Sequence, residues 1–142
     1  MENQLSQREG ASIVVQLLET FSGIIKAGYA HNDLKANNIV VELTVNGPIM
    51  TLIDFGLAKK FGYVFPWSKS GWLPIYAPEL FHRHPVDEKT QIYQVGLMIA
   101  LVFEYLGVLD QDLKLWAMEC THVIPKYRPT IDTATEICHN LV

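Results

Sequence analysis

His31-Asn32-Asp33-Leu34-Lys35-Ala36-Asn37-Asn38 and, after an apolar stretch, Asp54-Phe55-Gly56 decide how this chain is read. Between them the residues of 39–45 and 49–53 are largely β-branched or apolar, and Asn46-Gly47 is a strong hairpin signal. The pattern predicts a small ribbon, Ile39 to Val45 and Ile49 to Ile53, with one polar cluster at each end.

Upstream, Ser6-Gln7-Arg8-Glu9 has capping-box spacing, and Ile13, Val14, Leu17, Leu18, Phe21, Ile24 and Ile25 recur with helical period until Gly28. A first helix ending near Ala27 is expected. Downstream, residues 57–76 mix Gly, Pro, Ser and Lys with Phe61, Tyr63, Phe65, Trp67 and Trp72 and show no period, which predicts an ordered but mobile loop with exposed aromatics. The loop closes on Ala77-Pro78-Glu79. Over residues 88–106 apolar side chains point in every helical direction, the mark of a buried helix. Leu109, Leu113, Trp116, Ala117 and Cys120 form a further amphipathic pattern, and Thr130 caps a last helix that uses Ile131, Ala134, Ile137, Cys138 and Leu141.

The length of 142 residues suits one domain or part of a larger one, and 49% hydrophobic with 18% charged residues excludes a disordered chain. A formal charge of −4 gives no electrostatic footprint for nucleic acid or an anionic membrane. Two cysteines, Cys120 and Cys138, fit a reducing compartment. Met1 to Gly10 is polar and lacks the apolar core of a signal peptide, and the longest apolar run falls far short of the ~20 residues that span a bilayer. A soluble cytoplasmic or nuclear protein is expected.

The polar clusters suit phosphoryl transfer, which needs few groups in strict positions. An aspartate near an acceptor hydroxyl can take or orient its proton, a lysine two residues later can reach the transferring phosphate, and an amide oxygen can bind hard magnesium. Asp33, Lys35 and Asn38 provide these groups. Asp54 provides a second magnesium ligand from another direction, and Gly56 lets the backbone bend beside it.

With Lys35, Ala77-Pro78-Glu79, the apolar helix and Arg128-Pro129-Thr130 following in order, the chain resembles the C-terminal lobe of a eukaryotic-type protein kinase from about residue 11 onward. The resemblance implies a mainly helical lobe with a small β-hairpin spanning residues 1–142, the N-terminal lobe being absent. Its parts would be a catalytic loop at 31–38, the Asp-Phe-Gly at 54–56, an activation segment at 54–79 and distal helices at 88–142. It implies Asp33 as catalytic base, Lys35 as a phosphate-contacting lysine typical of serine/threonine kinases, and Asn38 and Asp54 as magnesium ligands, with ATP and Mg2+ as cofactors. His31 and Phe55 would organise the site, and Glu79 would pair with Arg128.

The chain also departs from the pattern. It contains no Gly-x-Gly-x-x-Gly, strand lysine or helix glutamate, so the nucleotide roof is missing and ATP binding by these residues alone should be weak. Asn32 replaces the usual arginine, which removes the cation that receives a phosphorylated loop and argues against Ser68 or Ser70 as on-switches. Gln91 stands where an aspartate normally braces the catalytic loop, and a neutral amide should brace it less strongly. Trp72 replaces a threonine of the substrate-facing loop, and a helix beyond Gly107 is deleted. His82 and His84 lack companions for a metal site and read as a solvated turn.

Three functions are consistent with these residues. The first is a protein kinase, represented by its catalytic lobe and acting on protein hydroxyls. The second is a truncated kinase-like module that binds and regulates another kinase. The third is a small-molecule phosphotransferase, since aminoglycoside and choline kinases carry a similar His-x-Asp and Asp-Phe-Gly.

Overall fold

A computed structural model describes residues 5–66, 75–107 and 110–138. Trp67, Ser68, Ser70, Trp72, Leu109 and Leu141, singled out above, lie outside them. The described chain is mainly helical with two small antiparallel ribbons. Its elements are α1 (Gln7–Lys26), β1 (Tyr29–Ala30), β2 (Ile39–Thr44), β3 (Gly47–Leu52), β4 (Lys59–Lys60), α2 (Glu88–Leu106), α3 (Gln111–Cys120) and α4 (Ile131–Cys138). None of the described helices is long and apolar enough to cross a membrane.

The helix α1 starts as its sequence dictates. Ser6 Oγ accepts from Glu9 N at 3.1 Å and Glu9 Oε1 accepts from Ser6 N at 3.0 Å, so two orphan donors of the first turn are satisfied reciprocally. At the other end Gly28 takes a left-handed φ of 82°, which stops the helix where a side chain would be strained. One face of α1, carrying Val14, Leu17, Leu18 and Phe21, is fully buried and forms the core with α2, α3, α4 and β3.

The ribbon of β2 and β3 has Ile39 opposite Leu52 and Thr44 opposite Gly47. The turn residues are therefore Val45 and Asn46, one position earlier than Asn46-Gly47. Thr44 explains the shift: its hydroxyl accepts from Asn46 N at 3.2 Å and donates to Gly47 O at 2.6 Å. Met50 and Leu52 of β3 point into the core, while Gln16 of α1 seals the strand's outer edge, donating to Pro48 O and accepting from Met50 N, both at 2.8 Å. Val41 and Leu43, on the same face as Met50, are exposed, as are Val40 and Ile49 on the opposite face.

The second ribbon, β1 with β4, was not legible in the sequence because each strand has two residues. It sits over a smaller core of Ala30, Phe65, Tyr76, Ala77, Leu80 and Val86. Phe65, expected to be exposed, is buried there, edge-on to Tyr63 with ring centres 5.0 Å apart.

The helix α2 occupies the expected residues, capped by Asp87 Oδ1 accepting from Thr90 N at 3.0 Å. It is not buried all round. Its first three turns are enclosed, but Leu101 is 55% and Tyr105 89% exposed. α2 and α3 meet closely at Gly96, where an added Cβ would lie 2.3 Å from Cys120 Cβ and 2.8 Å from Ala117 O. In α3 and α4, Leu113, Trp116, Ala117, Cys120, Ile131, Ala134 and Cys138 are buried as the periodicity requires. The hydroxyl of Thr130 meets that of Thr133 at 3.0 Å ahead of α4.

The Gly96→Ala variant should lose about 1–3 kcal/mol of stability in urea denaturation, since the backbone of α3 has to move away. The cysteines give a second expectation. Burial, and then Glu19 and Asp110, push the Cys138 thiol up to about 11, and burial also raises Cys120. The folded chain then retains protons that the unfolded chain releases, so this contribution is intact below the ordinary value of 9.0 and is lost as pH rises toward about 11. Thermal unfolding across that window should show a smaller decline in Cys138→Ala than in the parent chain.

Candidate active site

The polar residues at the ends of the ribbon come together because the ladder continues past β2 and β3. Ile53 N donates to Asn38 O at 2.8 Å, one pair beyond Ile39 and Leu52, which puts Asn38 beside the residue that precedes Asp54. A short 3-10 turn, Ala36–Asn38, leads into β2, with Asn38 N donating to Lys35 O at 2.9 Å. From there the buried Asn38 side chain donates through Nδ2 to Asp33 O at 2.7 Å. One residue thus links the loop at 31–38 to the strand that delivers Asp54.

The Asp33 carboxylate is 14% exposed, and Lys35 Nζ, half-exposed, lies 3.6 Å from its Oδ1. His31 is fully buried. Its Nε2 lies 3.0 Å from Ile53 O, and its Nδ1 accepts from Asp33 N at 3.2 Å, so the ring carries its hydrogen on Nε2 and donates to Ile53. The Phe55 ring, itself half-exposed, meets the His31 ring edge-on with centres 4.8 Å apart.

Asp54 is exposed and has a left-handed φ of 59°. The backbone bend therefore falls on Asp54, whereas Gly56, expected to supply it, is outside the left-handed region. Gly56 has a different use. Its N–H donates to Asp54 Oδ1 at 3.2 Å, and a Cβ there would sit 3.2 Å from the same oxygen, so only glycine leaves the carboxylate this much clearance.

Helix α2 supports the loop from beneath. Gln91 Oε1 accepts from His31 N at 2.5 Å, so the expected brace is present with a neutral amide. Sequence reading missed Gln94, whose Nε2 donates to Asn32 O at 3.3 Å. Two glutamines three residues apart among the apolar positions of α2 were the available signal, because amides in a buried helix need partners. It also missed Tyr76, a buried phenol pushed up first by burial and then by the negative charge of Asp33.

Glu79 and Arg128 form the expected pair. Arg128 Nη1 and Nη2 donate to the two carboxylate oxygens at 2.6 and 2.9 Å, a bidentate geometry, with the Arg128 side chain 0% exposed. Its remaining donors reach Lys89 O at 2.9 Å and His122 O at 2.8 Å. The ring of Tyr93 lies 5.1 Å from the guanidinium carbon. Among the described residues no three His, Cys, Asp or Glu side chains gather as a metal cluster, so His82 and His84 stay outside any such group.

The protein kinase domain model matches residues 1–140. The chain belongs to the protein kinase domain family. It is 26% identical over 140 residues to calcium/calmodulin-dependent protein kinase type II of Caenorhabditis briggsae, covering 96% of this chain and 26% of that protein. It is 32% identical over 123 residues to human serine/threonine-protein kinase PINK1, mitochondrial, covering 76% of this chain and 21% of that protein. Against the hormonally up-regulated neu tumor-associated kinase homolog B of Xenopus laevis the identity is 32% over 122 residues, covering 82% of this chain and 19% of the relative. The chain spans about a fifth to a quarter of the length of these relatives.

Replacing Glu79 with Gln should cost ~3–5 kcal/mol in urea denaturation, because it leaves a buried guanidinium without its counter-charge. The loss should persist at about 1 M salt, which screens exposed pairs and leaves buried ones largely intact.

Proposed function

We propose that the chain is the C-terminal lobe of a protein kinase domain and carries the groups that transfer a phosphoryl group from ATP to a protein hydroxyl. The observation that supports this reading best is the double engagement of Asn38, by side chain to Asp33 and by main chain to Ile53. It holds the two polar clusters in one place.

The donor set fits magnesium-ATP. With Nδ2 committed to Asp33 O, the Asn38 amide is oriented and keeps Oδ1 as a hard oxygen donor, while Asp54 offers an exposed carboxylate. One or two protein oxygens are what magnesium ordinarily takes when nucleotide phosphates complete its shell. When bound, magnesium-ATP supplies the transferable phosphoryl group and neutralises charge on its oxygens. Asp33 then orients the acceptor hydroxyl and takes its proton, and Lys35, held at the same carboxylate, lends positive charge to the phosphate side. His31 keeps the Asp33 backbone in place through Nδ1. The partners on this reading are protein substrates bearing a hydroxyl, met in the cytoplasm or nucleus.

A second reading, a module that binds and regulates another kinase, draws on the exposed apolar residues of the ribbon, Val40, Val41, Leu43 and Ile49.

Calorimetric titration of the 142-residue chain with magnesium-ATP is the direct test. Weak, magnesium-dependent binding that disappears in Asp54→Asn is expected, together with a ~10²–10⁴-fold fall in phosphoryl transfer to protein or peptide hydroxyls in Asp33→Asn. Absence of magnesium-ATP binding, with stable association to a second kinase that survives both substitutions, would favour the module. Transfer to small hydroxylated metabolites in place of peptides would move the assignment to a small-molecule phosphotransferase.

A further inference from the structure

The turn that carries Asp54 is gripped on both sides by neighbouring residues of the loop at 31–38. His31 Nε2 donates to Ile53 O, the carbonyl just before the turn, at 3.0 Å. Asn32 Nδ2 donates to Leu57 O, the carbonyl just after it, at 3.1 Å. Asn32 in turn is 2% exposed, adopts a left-handed φ of 67°, and shares its amide with Ala30 O at 3.3 Å. Its own carbonyl accepts from Gln94 Nε2 at 3.3 Å.

We infer that Asn32 is a positioning residue for the turn at Asp54. Together with His31 it forms an uncharged bracket, anchored to α2 through Gln94, that keeps the Asp54 backbone left-handed. Three physical facts converge on this residue. Asparagine tolerates a left-handed backbone better than other residues with a side chain, so position 32 can adopt φ 67° at low strain. Its amide can supply two donors to carbonyls in a buried setting without bringing in a charge that would need a counter-ion. Those donors go to the carbonyl of Ala30 at the end of β1 and to one beyond Asp54, the latter a link across 25 residues of sequence. A non-glycine residue held at φ 59° persists only when its surroundings over-determine it, and the bracket provides that restraint at both ends of Asp54-Phe55-Gly56. The proposal concerns conformation; its importance for phosphoryl transfer rests on the function proposed above.

Native-state amide exchange on the 142-residue chain tests it without requiring catalysis. The reporters are Ala58 N–H, bonded to Phe55 O at 3.0 Å within the turn, and the amides of α2 as a control. Asn32→Gly accepts the left-handed backbone and deletes only the side chain. It should accelerate exchange at Gly56 and Ala58 by about tenfold, the scale of one or two lost neutral hydrogen bonds, and leave α2 unchanged. If Asn32→Gly fails to fold, Asn32→Asp, which also tolerates this φ but cannot donate, is read in the same way. Unchanged exchange at Ala58, or an equal rise in α2, would overturn the proposal. If wild-type chain fails to bind magnesium-ATP while the local loosening is seen, the kinase reading falls and the bracket stands.

Discussion

The peptide group of His31 lies in a buried loop and belongs to no strand or helix, so its N–H has to find a partner from another element. Gln91 supplies it at 2.5 Å, which ties the start of the loop that carries Asp33 to α2. A buried donor left unpaired costs on the order of 1–3 kcal/mol, comparable to what one well-packed apolar side chain contributes, so the loop cannot drift from α2 cheaply. Helix α2 is the frame for the rest as well. Its Lys89 carbonyl receives Arg128, its Gly96 admits α3, and its apolar turns pack against α1.

Charge is distributed so that the scaffold stays neutral where the loop must be rigid. Beneath His31 and Asn32 the bonds come from amides, imidazole and main chain. The one fully buried formal charge among the described residues, on Arg128, is paired bidentately with Glu79 and shares its donors with main-chain carbonyls. Lys35 and Asp54 lie toward solvent, where they can meet a charged ligand, and the largely buried Asp33 carboxylate lies beside Lys35.

Much of this is legible in the sequence, because it depends on local rules. The capping box at Ser6, the stop at Gly28, the length of α2 and the spacing of Asp33, Asn38 and Asp54 are written within a few residues of where they act. Other features escaped because they depend on distant contacts. The hairpin turn moved by one residue through the hydroxyl of Thr44, which outcompeted the Asn46-Gly47 preference. The exposure of Leu101 and Tyr105 depends on what packs around the end of α2, which periodicity alone does not report. Phe65 resembled a surface aromatic until Ala30, Tyr76 and Val86, far apart in sequence, closed around it. The engagement of Asn32 with Leu57 is of the same kind: the residue type says only that an amide is present.

Backbone strain gives these observations a common direction. Asn32 and Asp54 are two of three non-glycine residues with positive φ among the described residues, and the bonds of His31 and Asn32 tie their two turns together. A left-handed aspartate in an isolated peptide would relax to an extended or helical φ, which would turn its carboxylate elsewhere. Here relaxation would break hydrogen bonds at Ile53 and Leu57 together, so the strained state is kept by cooperation between two loops and not by the preference of either. That arrangement also leaves Gln91 Nε2 and Gln94 Oε1 without protein partners among the described residues, a desolvation cost carried by the supporting helix. The strain and the unmet polar atoms both occur where the loop is fixed, while the core around α1 and β3 follows ordinary packing rules. That is the division expected when a site is held in a conformation its own sequence does not favour.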